Sequence, residues 1–214
     1  MKLYDYYRSS ASYRVRIALH YKNIECELTH VNLLESAQKE EAYSEKNPQM
    51  LVPLLEDDQV RLNQTLAILE YLEEKFPSPS LLPEKLADKM AVKAFAQEIA
   101  CEIHPLNNLR VLKYLKNDLD LSDKKKLEWY HHWLREGFTS LETRVSKTNG
   151  AFCFGNSPTW ADLFLIPQMY NAYRFEFPMN DFPLLSKIYS HCLQQDYFIK
   201  ASPEERVKET DANG

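Results

Sequence analysis

Along the chain the spacing of apolar positions changes period several times, and each change marks an element. Residues 2–6 read as a short strand, and residues 10–22 carry Val15, Ala18 and Leu19 on one helical face, with Asn23 suited to a left-handed C-terminal cap. In IECELTHVNL, Ile24, Cys26 and Leu28 alternate with polar residues as a half-buried strand does. Strand, helix and strand in succession make a unit whose two strands run parallel. Two apolar runs, Leu51 to Leu55 and Val60 to Leu62, then flank Glu56-Asp57-Asp58-Gln59, which signals a hairpin. QTLAILEYLEEKF follows as a helix, with Thr65 as its expected N-cap and Leu66, Leu69 and Leu72 as its apolar stripe.

PSPSLLP interrupts this pattern with Pro77, Pro79 and Pro83, a composition that ends helices and marks a linker, so a domain boundary is expected near residue 80. Beyond it the period is helical. Leu127, Tyr130, Leu134, Phe138, Leu141 and Val145 recur every three or four residues and predict one buried face of a long helix, serving core or dimer interface. A later helix starts at SPTWADLFLIPQ, where Thr159 and Asp162 stand at capping-box spacing with Asp in place of Glu or Gln, and the polar tail after Pro203 reads as frayed. The expected organisation is an α/β domain over 1–80 followed by an all-helical domain over 86–214.

Composition narrows the function. A net charge of −5 gives no electrostatic footprint for nucleic acid or an anionic membrane surface, so neither is expected as a partner. No apolar run approaches the roughly 20 residues that span a bilayer, and MKLYDYY lacks the apolar core of a signal peptide, so a cytoplasmic location is expected. Cys26, Cys101, Cys153 and Cys192 are far apart and read as reduced, mostly buried thiols. The first glycine is Gly137, which rules out both glycine-rich nucleotide fingerprints in the N-terminal half.

The chemistry concentrates in YYRSSASYRVRIALHYKN. Ser9 or Ser10 serves as the helix N-cap, and a hydroxyl at the positive end of a helix is also placed to steady an anion such as a thiolate. This stretch resembles the zeta-class signature SSCSxRVRIAL of cytosolic glutathione transferases. The resemblance continues through NP...VPLL, NQTLAILEYLEE, IHPLNNLRVL, WADLFLIPQ and NAYRF, covering nearly the whole chain. It implies a thioredoxin-like N-terminal domain, an all-helical C-terminal domain and a homodimer. It also implies maleylacetoacetate isomerase activity, in which glutathione serves as cofactor for conversion of a cis enedione to fumarylacetoacetate in tyrosine and phenylalanine breakdown.

The resemblance also implies roles. Ser9 would donate to the glutathione sulfur and Ser10 would line the same helix end, both as catalytic residues. Val52, presented by a cis Pro53, would pair with the cysteinyl part, and Gln64 and Thr65 would hold the γ-glutamyl carboxylate at a helix N-terminus. Gln38 and Asn108 match further glutathione contacts, while Ala11 and His104 occupy contact positions where the family has cysteine and commonly glutamine. Arg8, Arg14 and Arg174 match arginines around the dicarboxylate substrate, a role suited to the fixed charge and bidentate geometry of guanidinium.

Other readings stand beside these. Tyr4, Tyr6 and Tyr7 rival the serines, because some transferase classes activate the thiol with a tyrosine. A conjugating or dehalogenating transferase acting on α-halo acids, or a non-catalytic binding module, are the alternative functions. Cys101 and His104 stand at i, i+3 but lack further partners for a metal, His131 and His132 read as surface residues, Asp162 as a structural cap, and Arg16 and Arg110 as solvated.

Overall fold

A computed structural model describes residues 1–212. The first unit comprises residues 1–81 and the segment from Leu193 onward, and the second comprises residues 82–192. In chain order the first unit begins with β1 (Lys2–Asp5), α1 (Ser10–Tyr21), β2 (Glu27–His30), a 3-10 turn (Ala37–Lys39), α2 (Glu41–Ser44), β3 (Leu54–Asp57), β4 (Val60–Asn63) and α3 (Thr65–Lys75). The sheet order is β2-β1-β3-β4, with β1 parallel to β2 and antiparallel to β3, and β3 antiparallel to β4. Leu3, Ile17, Leu55, Ile68 and Leu72 fill the core between sheet and helices.

Several expected boundaries shift. The hairpin turn is Asp58-Gln59 alone, because Glu56 and Asp57 still pair with Arg61 and Val60, and Asp58 takes the left-handed conformation at φ 52°. Gln64 rather than Thr65 caps α3, and Ile68 joins Leu69 and Leu72 in its buried face while Leu66 is only half-buried. Helix α1 is buried nearly all round rather than on one face. Asn23 is left-handed just past its C-terminus, as expected.

Part of the burial of α1 comes from the segment after Leu193. Helices α9 (Asp196–Lys200) and α10 (Pro203–Ala212) belong to the first unit, whereas the sequence placed them with the helical domain and expected a frayed tail. Tyr13 Oη donates to the Phe198 carbonyl at 3.1 Å, and Arg16 Nε donates to the Ala201 carbonyl at 2.9 Å. Asp5, on the inner face of β1, lies 2.7 Å from Arg16 and 3.4 Å from Arg206. All three side chains are buried, so Arg16 is not solvated and the tail is pinned. Lys22, also buried, ties the end of α1 to the linker through the carbonyls of Phe76 and Pro79, both at 2.7 Å, and through Glu73 at 3.0 Å.

The second unit contains α4 (Leu86–Gln97), a π turn (Glu98–Ile103), α5 (Leu109–Asn117), α6 (Asp123–Val145), α7 (Trp160–Arg174) and α8 (Pro183–Cys192). Tyr130, Leu134, Phe138, Leu141 and Val145 form the buried face of α6, but Leu127 at its start is 37% exposed. Helix α7 opens with the expected capping box: Asp162 accepts from Thr159 N at 2.8 Å and also from Cys153 N at 2.8 Å. No helix among the described residues is long and apolar enough to cross a membrane.

Candidate active site

Strand register gathers most of the expected site residues at one edge of the sheet. Tyr4 stands opposite Thr29 of the parallel β2 and Leu54 of the antiparallel β3, and Leu54 stands opposite Asn63 of β4. The chain therefore leaves β1 and β2, enters β3 and leaves β4 at the same edge. From it emerge Arg8, Ser9, Ser10 and Ala11 after β1, Gln38 after β2, Val52 and Pro53 before β3, and Gln64 and Thr65 after β4.

Ser9 is the N-cap of α1, its Oγ accepting from Ser12 N at 3.2 Å, while Ser10 is the buried first residue of the helix. Ser9 is half-exposed, and a hydroxyl that accepts one hydrogen bond still has its proton to donate. The first turn of α1 holds no acidic residue, so the positive end of the helix dipole is not neutralised there. Two of the rival tyrosines are less suited to the role. Tyr4 Oη donates to Glu56 at 2.8 Å, and Tyr6 Oη accepts from Arg8 at 3.2 Å while burial pushes its pKa up, which makes it a poorer proton donor.

Val52–Pro53 is cis, as expected. Among the described residues neither the N–H nor the C=O of Val52 makes a hydrogen bond, which leaves one strand-like donor and acceptor pair available. Gln64 holds φ 66° and ψ 118°, an unusual conformation for a residue with a side chain, and its Nε2 donates to Gln49 Oε1 at 2.8 Å. Thr65 follows, buried, at the start of α3, whose first turn also lacks acidic residues. Gln38 carries a buried Oε1 with no hydrogen-bond partner.

The arginines differ. Arg8 has its guanidinium 4.8 Å from the Tyr7 ring centre, which with the Tyr6 hydrogen bond fixes its orientation. Arg14 is only 2% exposed. Arg174 is the exposed last residue of α7, 5.2 Å over the Phe175 ring. With His104 and Asn108 it lies in the second unit. There Asn108 caps α5 by accepting from Arg110 N at 3.1 Å, and its Nδ2 is 3.5 Å from His104 Nε2.

Three of the chain's own thiols are poor nucleophiles: burial pushes Cys26 up to about 11, and it raises Cys153 and Cys192 further, whereas Cys101 is exposed rather than buried. Among the described residues no three His, Cys, Asp or Glu side chains form a metal-holding group. One buried side chain at this edge escaped the sequence: Asn47, seen there only as part of an NP pair with no role attached. Its place in a polar loop gave no signal that it would be enclosed.

Residues 3–80 match the model of the glutathione S-transferase N-terminal domain, and residues 107–200 match that of the C-terminal domain. A probable maleylacetoacetate isomerase of Vibrio cholerae is 44% identical over 94% of this chain and 95% of its own. The holo structure of maleylpyruvate isomerase, described as a bacterial zeta-class glutathione S-transferase, superposes with a TM-score of 0.93 at 36% identity, covering 95% of this chain and 97% of that one. Maleylacetoacetate isomerase of Methylobacterium extorquens, solved with malonate and GSH bound, gives 0.91 at 35% identity over 95% and 96%. Such likeness across both halves means that the chain belongs to the glutathione transferase family and to its zeta class.

Proposed function

We propose that the chain is a glutathione-dependent cis–trans isomerase that converts maleylacetoacetate to fumarylacetoacetate. The observation that carries this reading is the adjacency of Arg8 and Ser9, a fixed cation beside a hydroxyl at the positive end of α1. One serves a carboxylate, the other a thiolate.

Glutathione, when bound, would supply a thiolate able to add reversibly to the conjugated double bond, so that rotation is allowed before the same thiolate leaves. Everything else falls to the chain. Ser9 donates a hydrogen bond to the sulfur, and Ser10 lines the same helix end. Val52, presented by Pro53, offers its unpaired N–H and C=O to the cysteinyl unit. The N-terminus of α3, with Gln64 and Thr65, takes the γ-glutamyl carboxylate, and the orphaned Gln38 Oε1 accepts from a ligand N–H. Arg8 takes a substrate carboxylate, while Arg14, being buried, contributes charge. Ala11 leaves the serines intact where the family has a thiol. The roles of His104, Asn108 and Arg174 rest on the family resemblance.

The test is turnover of maleylacetone, a cis enedione analogue, followed by ultraviolet absorbance with and without glutathione. Isomerisation that requires glutathione is expected, and its absence at saturating glutathione would overturn the proposal. The solved maleylpyruvate isomerase that matches at a TM-score of 0.93 favours a second reading, in which maleylpyruvate is the better substrate. The ratio of kcat/KM for the two maleyl compounds decides between them. We further propose a cytoplasmic homodimer, supported by four free cysteines and by Leu86 and Met90, which stand 70% and 44% exposed on α4. A 25.2 kDa species in sedimentation at micromolar concentration would reject the dimer.

A further inference from the structure

We propose that Asn47 is a positioning residue for glutathione, aiming the N–H of Val52 and locking that segment to the strand end from which Gln64 and Thr65 emerge. The inference rests on the glutathione site proposed above. Residues 47–53 form no regular element, contain no glycine and include Met50 at φ 53°, so something other than secondary structure must hold them. Asn47, 1% exposed, does so with both ends of its amide. Its Nδ2 donates to the Leu51 carbonyl at 2.7 Å, and its Oδ1 accepts from Gln49 N at 3.1 Å and from Asn63 Nδ2 at 3.1 Å.

Leu51 is the residue that gives this contact its meaning. Its carbonyl also accepts from Tyr43 Oη at 2.6 Å, so two donors fix its direction. The carbonyl of Leu51 and the N–H of Val52 belong to one peptide group, which is planar, and in the trans form the two point in opposite directions. Holding the carbonyl therefore holds the N–H, and that N–H has no partner among the described residues. The donor from Tyr43 persists across working pH, because burial pushes its phenol up to about 12. The strut to Asn63 joins this segment to the residue preceding Gln64, whose own side chain reaches back to Gln49 at 2.8 Å. One buried amide thus sets the spacing between two glutathione contacts that lie a strand apart.

The experiment is calorimetric titration of glutathione into the wild type, Asn47→Ala and Tyr43→Phe, with ultraviolet titration of the bound thiol in each. If the braced conformation falls to about a tenth of the population, the apparent dissociation constant rises about tenfold, and this is expected of Asn47→Ala. Tyr43→Phe keeps its volume and one of the two donors, so a rise of about threefold is expected, and it answers the question even where Asn47→Ala does not fold. The thiol pKa is expected to stay at the wild-type value in both, because Ser9 is untouched. Wild-type affinity in a folded Asn47→Ala, or in Tyr43→Phe where the former does not fold, would overturn the proposal, as would a thiol pKa that moves with the affinity. A wild type that takes up no glutathione would instead overturn the site reading itself.

Discussion

Replacing Asp5 by Asn tests the account of the first unit most severely, because it removes one charge and little volume. The Asp5 carboxylate is fully buried between Arg16, 1% exposed, and Arg206, 6% exposed. Arg16 also donates to the carbonyls of Tyr7 and Ala201, both at 2.9 Å, so its guanidinium cannot turn to solvent without breaking two more hydrogen bonds. Asp5→Asn leaves two guanidinium groups facing an amide. Breaking a buried ion pair by neutralising one partner costs about 3–5 kcal/mol, a large part of the roughly 5–15 kcal/mol that holds a protein folded. For a chain of this size each kcal/mol moves Tm by about 2–4 °C, so a fall of about 6–20 °C is expected by scanning calorimetry. Lys125→Ala is the control, since Lys125 and Glu128 are 65% and 47% exposed and such pairs contribute about 0–1 kcal/mol. If Asp5→Asn melts within about 3 °C of the wild type, the three side chains do not form an interdependent cluster.

Ser9→Ala is expected to raise the thiol pKa of bound glutathione by about one unit, equivalent to about 1.4 kcal/mol, with little change in glutathione affinity; an unchanged pKa would reduce Ser9 to a helix cap. Gly137→Ala places a Cβ into the buried Ile103 side chain at the end of the π turn, so Tm is expected to drop by the equivalent of about 1–3 kcal/mol despite alanine's better helix propensity, and a Tm at or above the wild type would contradict this packing. Asp57 is held below its ordinary pKa by hydrogen bonds first from Lys75 and then from Tyr71, so its contribution is complete above about pH 4 and is lost as pH falls through the lower folded value. Lys75→Ala should therefore flatten the loss of stability below pH 4 in urea titrations, and an unaltered slope would show that the pair is not formed in solution.

The sequence was most legible where the determinants are local. Ser9 before an apolar helix, Asn23 after it, the acidic turn between two β-rich runs and the Thr159–Asp162 box all act within a few residues, and each was placed nearly where it stands. Boundaries drifted where backbone conformation overrode residue preference, as at Gln64, whose positive φ moved the cap one residue from Thr65. What escaped the sequence depends on distant partners. Arg16 read as solvated because its Ala201 carbonyl lies 185 positions away, and Asn47 read as an ordinary loop residue because its burial comes from Leu51 and Asn63 closing over it. The site residues followed from the resemblance rather than from spacing. Residue types alone left Ser9 open against three tyrosines, and only the hydrogen bond donated by Tyr4 and the burial of Tyr6 weakened two of those rivals.

The contact between Asp5 and Arg206 spans 201 positions, and this has a bearing on how the molecule is made. Synthesis proceeds from the N-terminus, and domains generally complete their folding in that order, at about 5–20 residues per second. Here the first unit cannot follow that schedule. Its sheet and α1 emerge early, but Asp5 meets Arg206, and Tyr13 meets Phe198, only after the whole second unit has been synthesised. For some ten seconds or more at that rate the nascent first unit carries a buried-to-be carboxylate short of one of its two cations, with one flank of α1 uncovered. The order of closure is thus reversed: a segment made after the second unit completes the first, and a ribosome that stalls within the second unit releases a chain whose first unit is unfinished.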